Sequence, residues 1–80
     1  MEIQYEKIES KEQLLALIKN LSAEDSSGWE NQSAVAFLEA LAAWLESANG
    51  LYKNLNLATD ANSPSWQLFA DALQAATIYE

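Results

Sequence analysis

Apolar positions recur at helical spacing in three segments of the chain, and more polar stretches separate these segments. The first segment runs from about Lys11 to Ser22, and its leucines and isoleucine fall on one face at ~100° per residue. Ser10 precedes this segment and Gln13 follows three residues later, which is the pattern of a capping box. The first segment is therefore predicted to form an amphipathic helix.

The second segment is predicted to begin near Asn31 or Ser33, since either side chain can cap a helix. It is predicted to end at Asn49 and Gly50, where glycine supplies a left-handed stop. Its apolar stripe consists of Phe37, Leu38, Leu41, Trp44 and Leu45. Glu39 and Glu46 fall on the opposite side. We expect this helix to be the central one, with Trp44 in the core.

The third segment has a strong start signal in Ser63 and Pro64, because proline is well tolerated at the first helical position. It is predicted to run from Pro64 to about Ile78. One apolar stripe contains Trp66, Phe69, Ala70, Leu73 and Ala76, and a second contains Leu68, Ala72, Ala75 and Tyr79. Gln67, Asp71 and Gln74 form the polar edge. Such a helix needs cover on two sides, and the first stripe, with Trp66, is assigned to the core.

The N-terminal residues Ile3, Tyr5 and Ile8 alternate with charges and are predicted to cover the second stripe. The alternative leaves Leu68 and Tyr79 exposed as a docking surface for a partner or a second copy. Residues 51–62 are predicted to form an irregular lid across the core, with one short strand or turn as the alternative. The fold prediction is an all-α, three-helix single domain over residues 1–80, with an N-terminal extension packed on the third helix and the lid between the second and third.

Trp29 lies in the polar stretch between the first two predicted helices. One interpretation is a hydrophobic staple, in which the indole folds back onto the first turn of the second helix. The other is an exposed contact for a partner. The staple is favoured because a small core gains from every large apolar side chain that it can bury.

Charge and composition narrow the range of functions. The chain has 80 residues, no cysteine, no histidine and a net charge of −8, which opposes binding to nucleic acids and to anionic membranes. The N-terminus has no apolar stretch typical of a signal peptide, and no run is long enough to span a membrane. We expect a soluble, cytoplasmic protein.

The side chains that most often carry catalysis are scarce. Histidine and cysteine are absent, and Ser26, Ser27 and Gly28 lack the strand, turn and helix that frame a nucleophile elbow. Glu39 and Glu46 are interpreted as a solvated helix face, since carboxylates are rarely buried. We therefore expect neither an enzyme nor a site for a cofactor or metal ion.

Several short motifs occur together along the chain: "WEN" before the second helix, then "FLEALAAWLES", "NGLYKN" and the C-terminal "PSWQLFADALQAATIYE". As a set they resemble a family of small, acidic bacterial proteins known only as a domain of unknown function. The resemblance covers nearly the whole chain. It implies a short, stand-alone helical protein and brings no catalytic residues with it.

The leading functional hypothesis is a non-enzymatic, acidic interaction module, such as an inhibitor or immunity-type protein that neutralises a basic protein partner. The candidate partner contacts are Trp29, Leu68, Tyr79, Glu39 and Glu46. A second hypothesis is a small-molecule-binding domain or minor enzyme with an aromatic pocket between Trp29, Tyr52 and Trp66. A third is a structural subunit of a larger assembly. A monomer is favoured over a homodimer.

Overall fold

The computed structural model describes residues 5–79, which form three α-helices and no strand. The helices are α1 (Lys11–Ala23), α2 (Ala34–Asn54) and α3 (Trp66–Ala76). A short 3-10 turn, Ser26–Gly28, lies in the connection between α1 and α2. The prediction of an all-α, three-helix fold is confirmed.

The start of α1 follows the sequence signal closely. Ser10 is the N-cap, and its Oγ accepts a hydrogen bond of 3.2 Å from the backbone N–H of Gln13. The Gln13 Oε1 accepts from the backbone N–H of Glu9, at 2.6 Å, instead of from the N-cap residue itself. The side chains of Ser10 and Gln13 therefore both accept from backbone N–H groups, but the N–H that Gln13 binds belongs to Glu9 and not to Ser10.

The predicted end of α2 at Gly50 is wrong, because the helix continues to Asn54. Gly50 does not have a positive φ angle, so it provides no left-handed stop. The apolar repeat continues past it, and Trp44, Ala48 and Tyr52 lie four residues apart on one buried face. Burial of the Tyr52 side chain outweighs the cost of about 1 kcal/mol that glycine imposes within a helix.

Asn56 provides the stop instead. Its φ of 57° is the left-handed conformation that ends many helices, and asparagine adopts it more readily than most residues. The backbone N–H of Asn56 donates to the Lys53 carbonyl and that of Leu57 donates to the Tyr52 carbonyl, which is the Schellman pattern. The irregular connection therefore begins after residue 54, and the first four residues of the predicted lid are helical.

The start of α3 is two residues later than predicted. Ser65 is the N-cap, and its Oγ accepts from the backbone N–H of Leu68 at 3.0 Å. Ser63, the predicted cap, instead donates its hydroxyl to the Asp60 carboxylate at 3.1 Å, within a turn that Asp60 organises. Pro64 therefore precedes the helix.

α3 is the central helix, so the prediction that α2 is central is wrong. Both α1 and α2 pack on α3, whereas α1 and α2 do not approach each other among the described residues. Six of the eleven residues of α3 are buried. The larger core cluster joins Trp44, Ala48 and Tyr52 of α2 to Ala72 and Ala75 of α3.

The assignment of the first stripe of α3 to the core is wrong for its two aromatic residues and right for Ala70 and Ala76, which are buried. The second stripe faces α2: Ala72 and Ala75 are buried, and Leu68 and Tyr79 are half-buried against the same cluster. The predicted core residues Trp66 and Phe69 are instead 45% and 49% exposed. The alanines explain the preference, because small side chains let α2 and α3 approach closely.

The N-terminal segment packs on α3, as predicted. Ile8 is buried with Leu14 of α1 and Ala70 of α3, so it packs on a residue of the first stripe and not on the second stripe as predicted. Gln67 joins the segment to α3, since its Oε1 accepts from the Ile8 N–H at 2.7 Å and its Nε2 donates to the Glu6 carbonyl at 2.8 Å. Tyr5 packs against the larger core cluster, so the predicted cover of the second stripe is shared between α2 and Tyr5. Ile3 lies outside the described residues.

Asn31 and Ser33 have separate roles. Ser33 caps α2, with its Oγ accepting from the Ala36 N–H at 3.0 Å. Asn31 caps the C-terminal end of α3, because its Nδ2 donates to the carbonyls of Ala76 and Tyr79, at 2.9 and 2.7 Å. The loop before α2 therefore closes the C-terminus of α3, where carbonyl groups lack helical partners.

Candidate functional site

One candidate site is an apolar groove of about 930 Å³ between α2 and the first turns of α3. Its lining residues are Ile8, Glu9, Leu41, Leu45, Pro64, Ser65, Trp66, Leu68, Phe69 and Ala72. Glu9 is the only charged residue among them. We refer to this feature as the α2–α3 groove.

Large apolar side chains remain accessible in the α2–α3 groove. Trp66, Phe69 and Leu45 are each at least 40% exposed, and Leu38, one turn before Leu41 on α2, is 61% exposed. Single exposed apolar residues are ordinary, but a contiguous set on a soluble domain is typical of a binding surface. The groove is therefore the best candidate for a contact with another molecule.

The helix geometry explains why these side chains are exposed. On α2, the buried face holds Trp44, Ala48 and Tyr52, and Leu41 and Leu45 lie toward one edge of that face. On α3, Ala72 and Ala75 make the contact with α2, and Trp66 and Phe69 lie to one side of it. Because α1 packs elsewhere on α3 and does not reach α2, no described element closes the groove.

Only one of the predicted partner contacts lies in the groove. Leu68 lines it. Tyr79 lies in a separate, smaller cavity with Tyr5, and its hydroxyl is 3.2 Å from the Ser47 Oγ. Glu39 and Glu46 are exposed on α2 and do not line the groove.

Trp29 packs against α2 in the manner predicted for a staple. Its ring centroid lies 6.3 Å from that of Phe37, in the first turns of α2, with a tilt of 36° between the planes. Its indole N–H donates to the Glu24 Oε1 at 3.3 Å, so the polar edge of the ring is also engaged within the chain. Trp29 is half-buried and does not line the α2–α3 groove.

A buried polar network lies between α2 and α3, at the polar edge that the sequence predicted for α3. The Asp71 carboxylate is 1% exposed. It accepts a 2.6 Å hydrogen bond from the Tyr52 hydroxyl and a 3.0 Å hydrogen bond from the Gln67 Nε2. Gln74, from the same polar edge, is buried as well.

Burial dominates the electrostatics of this network. It raises the pKa of Asp71, although the hydrogen bonds from Tyr52 and Gln67 act in the opposite direction. Burial also raises the pKa of Tyr52, and the hydrogen bond to Asp71 and its negative charge add to that effect. Strongly shifted groups often mark active sites. Here neither side chain lines the groove, and both are occupied by each other, which is typical of a structural network.

The aromatic pocket considered from the sequence does not form as a unit. Tyr52 is buried beside Asp71, Trp29 packs on Phe37, and only Trp66 lines the α2–α3 groove. Among residues 5–79, no three acidic side chains come together in a way that could hold a metal ion.

Comparison with known proteins places the chain in a family. A family model described as "Family of unknown function (DUF7660)" matches residues 7–80. The chain belongs to the DUF7660 family. No curated protein and no solved structure matches it.

The region that matches the DUF7660 model contains every residue that lines the α2–α3 groove, from Ile8 to Ala72. It also contains the Asp71 network and the Asn31 cap. None of the helices that the structure describes has both the length and the apolarity needed to cross a bilayer.

The sequence pattern assigned the main groove residues, Leu41, Leu45, Trp66 and Phe69, to the core. One signal could have separated them from true core residues. The buried face of α3 is built from alanines, whereas its exposed side has the bulky aromatics. When one stripe of a helix is small and another is bulky, the small stripe permits the closer helix contact and leaves the bulky stripe outside it.

Proposed function

We propose that this protein is a non-enzymatic interaction module that binds a basic protein partner through the α2–α3 groove. The specific form of this proposal is an inhibitor or immunity-type protein, which neutralises its partner by occupying a surface that the partner needs. The observation that carries the proposal is the exposure of Trp66 and Phe69, at 45% and 49%, in an apolar groove.

Trp66 and Phe69 have the properties of binding anchors. Aromatic side chains, tryptophan above all, are enriched among the few residues that carry most of the energy of an interface. Half-exposed aromatic side chains make a free domain more prone to associate. A contact with a protein partner explains why Trp66 and Phe69 lie on the surface.

The charge of the chain favours a basic partner. Twelve acidic residues against four lysines give a net charge of −8, which accelerates encounter with a positively charged protein and disfavours nucleic acids. The groove contains no basic side chain, and its one charged residue is Glu9. Affinity would then come mainly from the aromatic anchors, and orientation from the charges.

The absence of catalysis is part of the proposal. The chain has no histidine and no cysteine, and the described carboxyl group with a raised pKa, Asp71, is enclosed by hydrogen-bond partners. A general acid or base must reach the substrate within hydrogen-bond distance, which the 1% exposure of Asp71 does not permit.

The test begins with proteins captured from the native host by the immobilised chain, each of which is purified and titrated alone by isothermal calorimetry. Trp66→Ala and Phe69→Ala should each weaken binding of the true partner at least about tenfold, since interface anchors contribute about 2 kcal/mol or more. Val35→Ala is the matched control, because Val35 is an exposed apolar residue of α2 that does not line the groove. Equal affinities for Trp66→Ala and Val35→Ala would reject the groove as the contact.

A further inference from the structure

The two walls of the α2–α3 groove have the residue spacing of a helix-packing seam. On α2, Leu41 and Leu45 line the groove four residues apart, and the exposed Leu38 precedes Leu41 by three residues. On α3, the groove residues Trp66, Phe69 and Ala72 follow one another at three-residue spacing. This spacing presents a continuous apolar strip to a neighbouring helix, as the a and d positions of a bundle do.

The strips are long enough to hold a helix in register. From Leu38 to Leu45 and from Trp66 to Ala72, the strips extend over about 10 Å and about 9 Å of helix axis, which is nearly two turns. Two packed helices whose apolar strips border a common groove offer the binding site for a third helix that bundles normally fill. Here α1 does not fill it, because α1 packs on α3 without approaching α2.

The distribution of charge indicates the sign of the occupant. α3 contains no lysine, and α2 contains none before Lys53, near its C-terminal end. Glu9 borders the groove and pairs with Lys7 at 2.9 Å, but both side chains are largely exposed, so this ion pair is weak and a cationic partner can compete for Glu9. Together with the net charge of −8 on the chain, this distribution favours a cationic occupant over an anionic one.

From these observations we propose that the α2–α3 groove receives one amphipathic α-helix of the partner, with apolar residues at three- and four-residue spacing inserted between α2 and α3 and with lysines or arginines on its flanks. This inference rests on the proposed function and specifies the element that the partner contributes. Helix-in-groove recognition uses the same anchors, at positions i, i+3 or i+4, and i+7.

A second copy of the chain is a less favourable occupant. The exposed Leu15 and Ile18 of α1 lie between Lys11 and Lys19, so this helix face is the one that could enter the groove of a neighbour. Each copy carries a net charge of −8, however, and two such chains repel each other. Self-association is therefore an outcome that the test must detect.

The probe is a synthetic peptide of about 20 residues, long enough for about five helical turns, with leucines at alternating three- and four-residue spacing and lysines elsewhere. One control peptide has the same composition in scrambled order, and another keeps the leucine spacing with glutamates in place of the lysines. Binding to the full chain is measured by calorimetry and located by NMR shifts of backbone amides and indole N–H groups. The mass of the free chain is measured at the same concentrations.

The Leu/Lys helix should bind at least about tenfold more tightly than either control peptide and should shift the signals of Leu41, Leu45, Trp66 and Phe69. Phe69→Ala should weaken it about tenfold, and Val35→Ala should leave it unchanged. Equal binding of the scrambled peptide, shifts elsewhere on the surface, or a dimeric free chain with an occupied groove would each overturn the proposal.

The proposed function and this inference can fail separately. If the native partner binds in a Phe69-dependent way but presents no helix to the groove in the complex, the interaction module stands and the helical occupant is wrong. If Phe69→Ala leaves the affinity for the native partner unchanged, both the proposed function and the helical occupant are wrong.

Discussion

The Asp71 carboxylate lies at the junction of α2, α3 and the N-terminal segment. Tyr52 of α2 donates to one carboxylate oxygen and Gln67 of α3 to the other. Gln67 also holds the backbone at Glu6 and Ile8. A buried carboxylate is tolerated only when such donors replace water, so this single residue connects the packing of three parts of the chain.

Asp71→Asn should change how stability depends on pH. Because the folded protein has a raised Asp71 pKa, it holds this proton more tightly than the unfolded chain. The carboxyl therefore favours folding most below its ordinary pKa of 3.8, and this contribution is lost as pH rises through the raised value. Asparagine does not titrate. Its Oδ1 can accept from the Gln67 Nε2, and its Nδ2 can donate to the Tyr52 hydroxyl oxygen.

The free energy of unfolding of Asp71→Asn, minus that of the unmodified chain, should therefore increase between acidic and neutral pH. Urea unfolding at a series of pH values measures this difference. A difference that stays constant or decreases as pH rises would show that the Asp71 pKa is not raised in the folded protein.

Asn31→Ala should lower the free energy of unfolding by about 1–2 kcal/mol, because the carbonyls of Ala76 and Tyr79 lose their donor. Asn31→Asp is the sharper variant, since it keeps the shape of the side chain and replaces the amide donor with a negative charge. It should destabilise the protein at least as much in urea unfolding at neutral pH. Full stability of Asn31→Asp would contradict the capping role.

At the scale of elements, α2 shows a helix that continues through a glycine. Gly50 is exposed, has an ordinary helical backbone, and has open space where a Cβ would lie. Gly50→Ala should therefore raise the free energy of unfolding by about 0.5–1 kcal/mol, because alanine loses less conformational entropy in a helix. Thermal and urea unfolding give the value. Destabilisation by Gly50→Ala would mean that α2 does not continue through this position.

Helix boundaries could be predicted from the sequence where they depend only on residues within one turn. Ser10 caps α1 as predicted, because a cap depends on residues within one turn of it. The end of α2 depends on Tyr52, whose burial against α3 keeps the chain helical past Gly50. The start of α3 depends on Asp60, which engages Ser63 and leaves Ser65 as the cap. Both errors come from contacts that local patterns do not contain.

At the scale of the whole molecule, the sequence predicted the fold class and the N-terminal cover but not the order of packing. The two stripes of α3 were recognised, and the bulky one was assigned to the core because Trp66 and Phe69 are the more apolar residues. In the structure Ala72 and Ala75 pack on α2, and Trp66 and Phe69 are left about half exposed. The groove is a consequence of that packing, and the small size of the alanines on the buried face of α3 was the sequence signal that could have indicated it.

The central claim is that a partner covers Trp66, and fluorine NMR of the chain labelled with 5-fluorotryptophan tests it directly. With 5-fluorotryptophan in this chain alone, the fluorine NMR signal of Trp66 should shift between H₂O and D₂O, because the side chain is 45% exposed. The signal of Trp44, which is 2% exposed, should not shift and serves as the internal control. Replacement of each tryptophan by phenylalanine assigns the signals. In a saturated complex with the native partner, the solvent shift of Trp66 should disappear, whereas a Trp66 signal that remains as sensitive to solvent as in the free chain would contradict the claim.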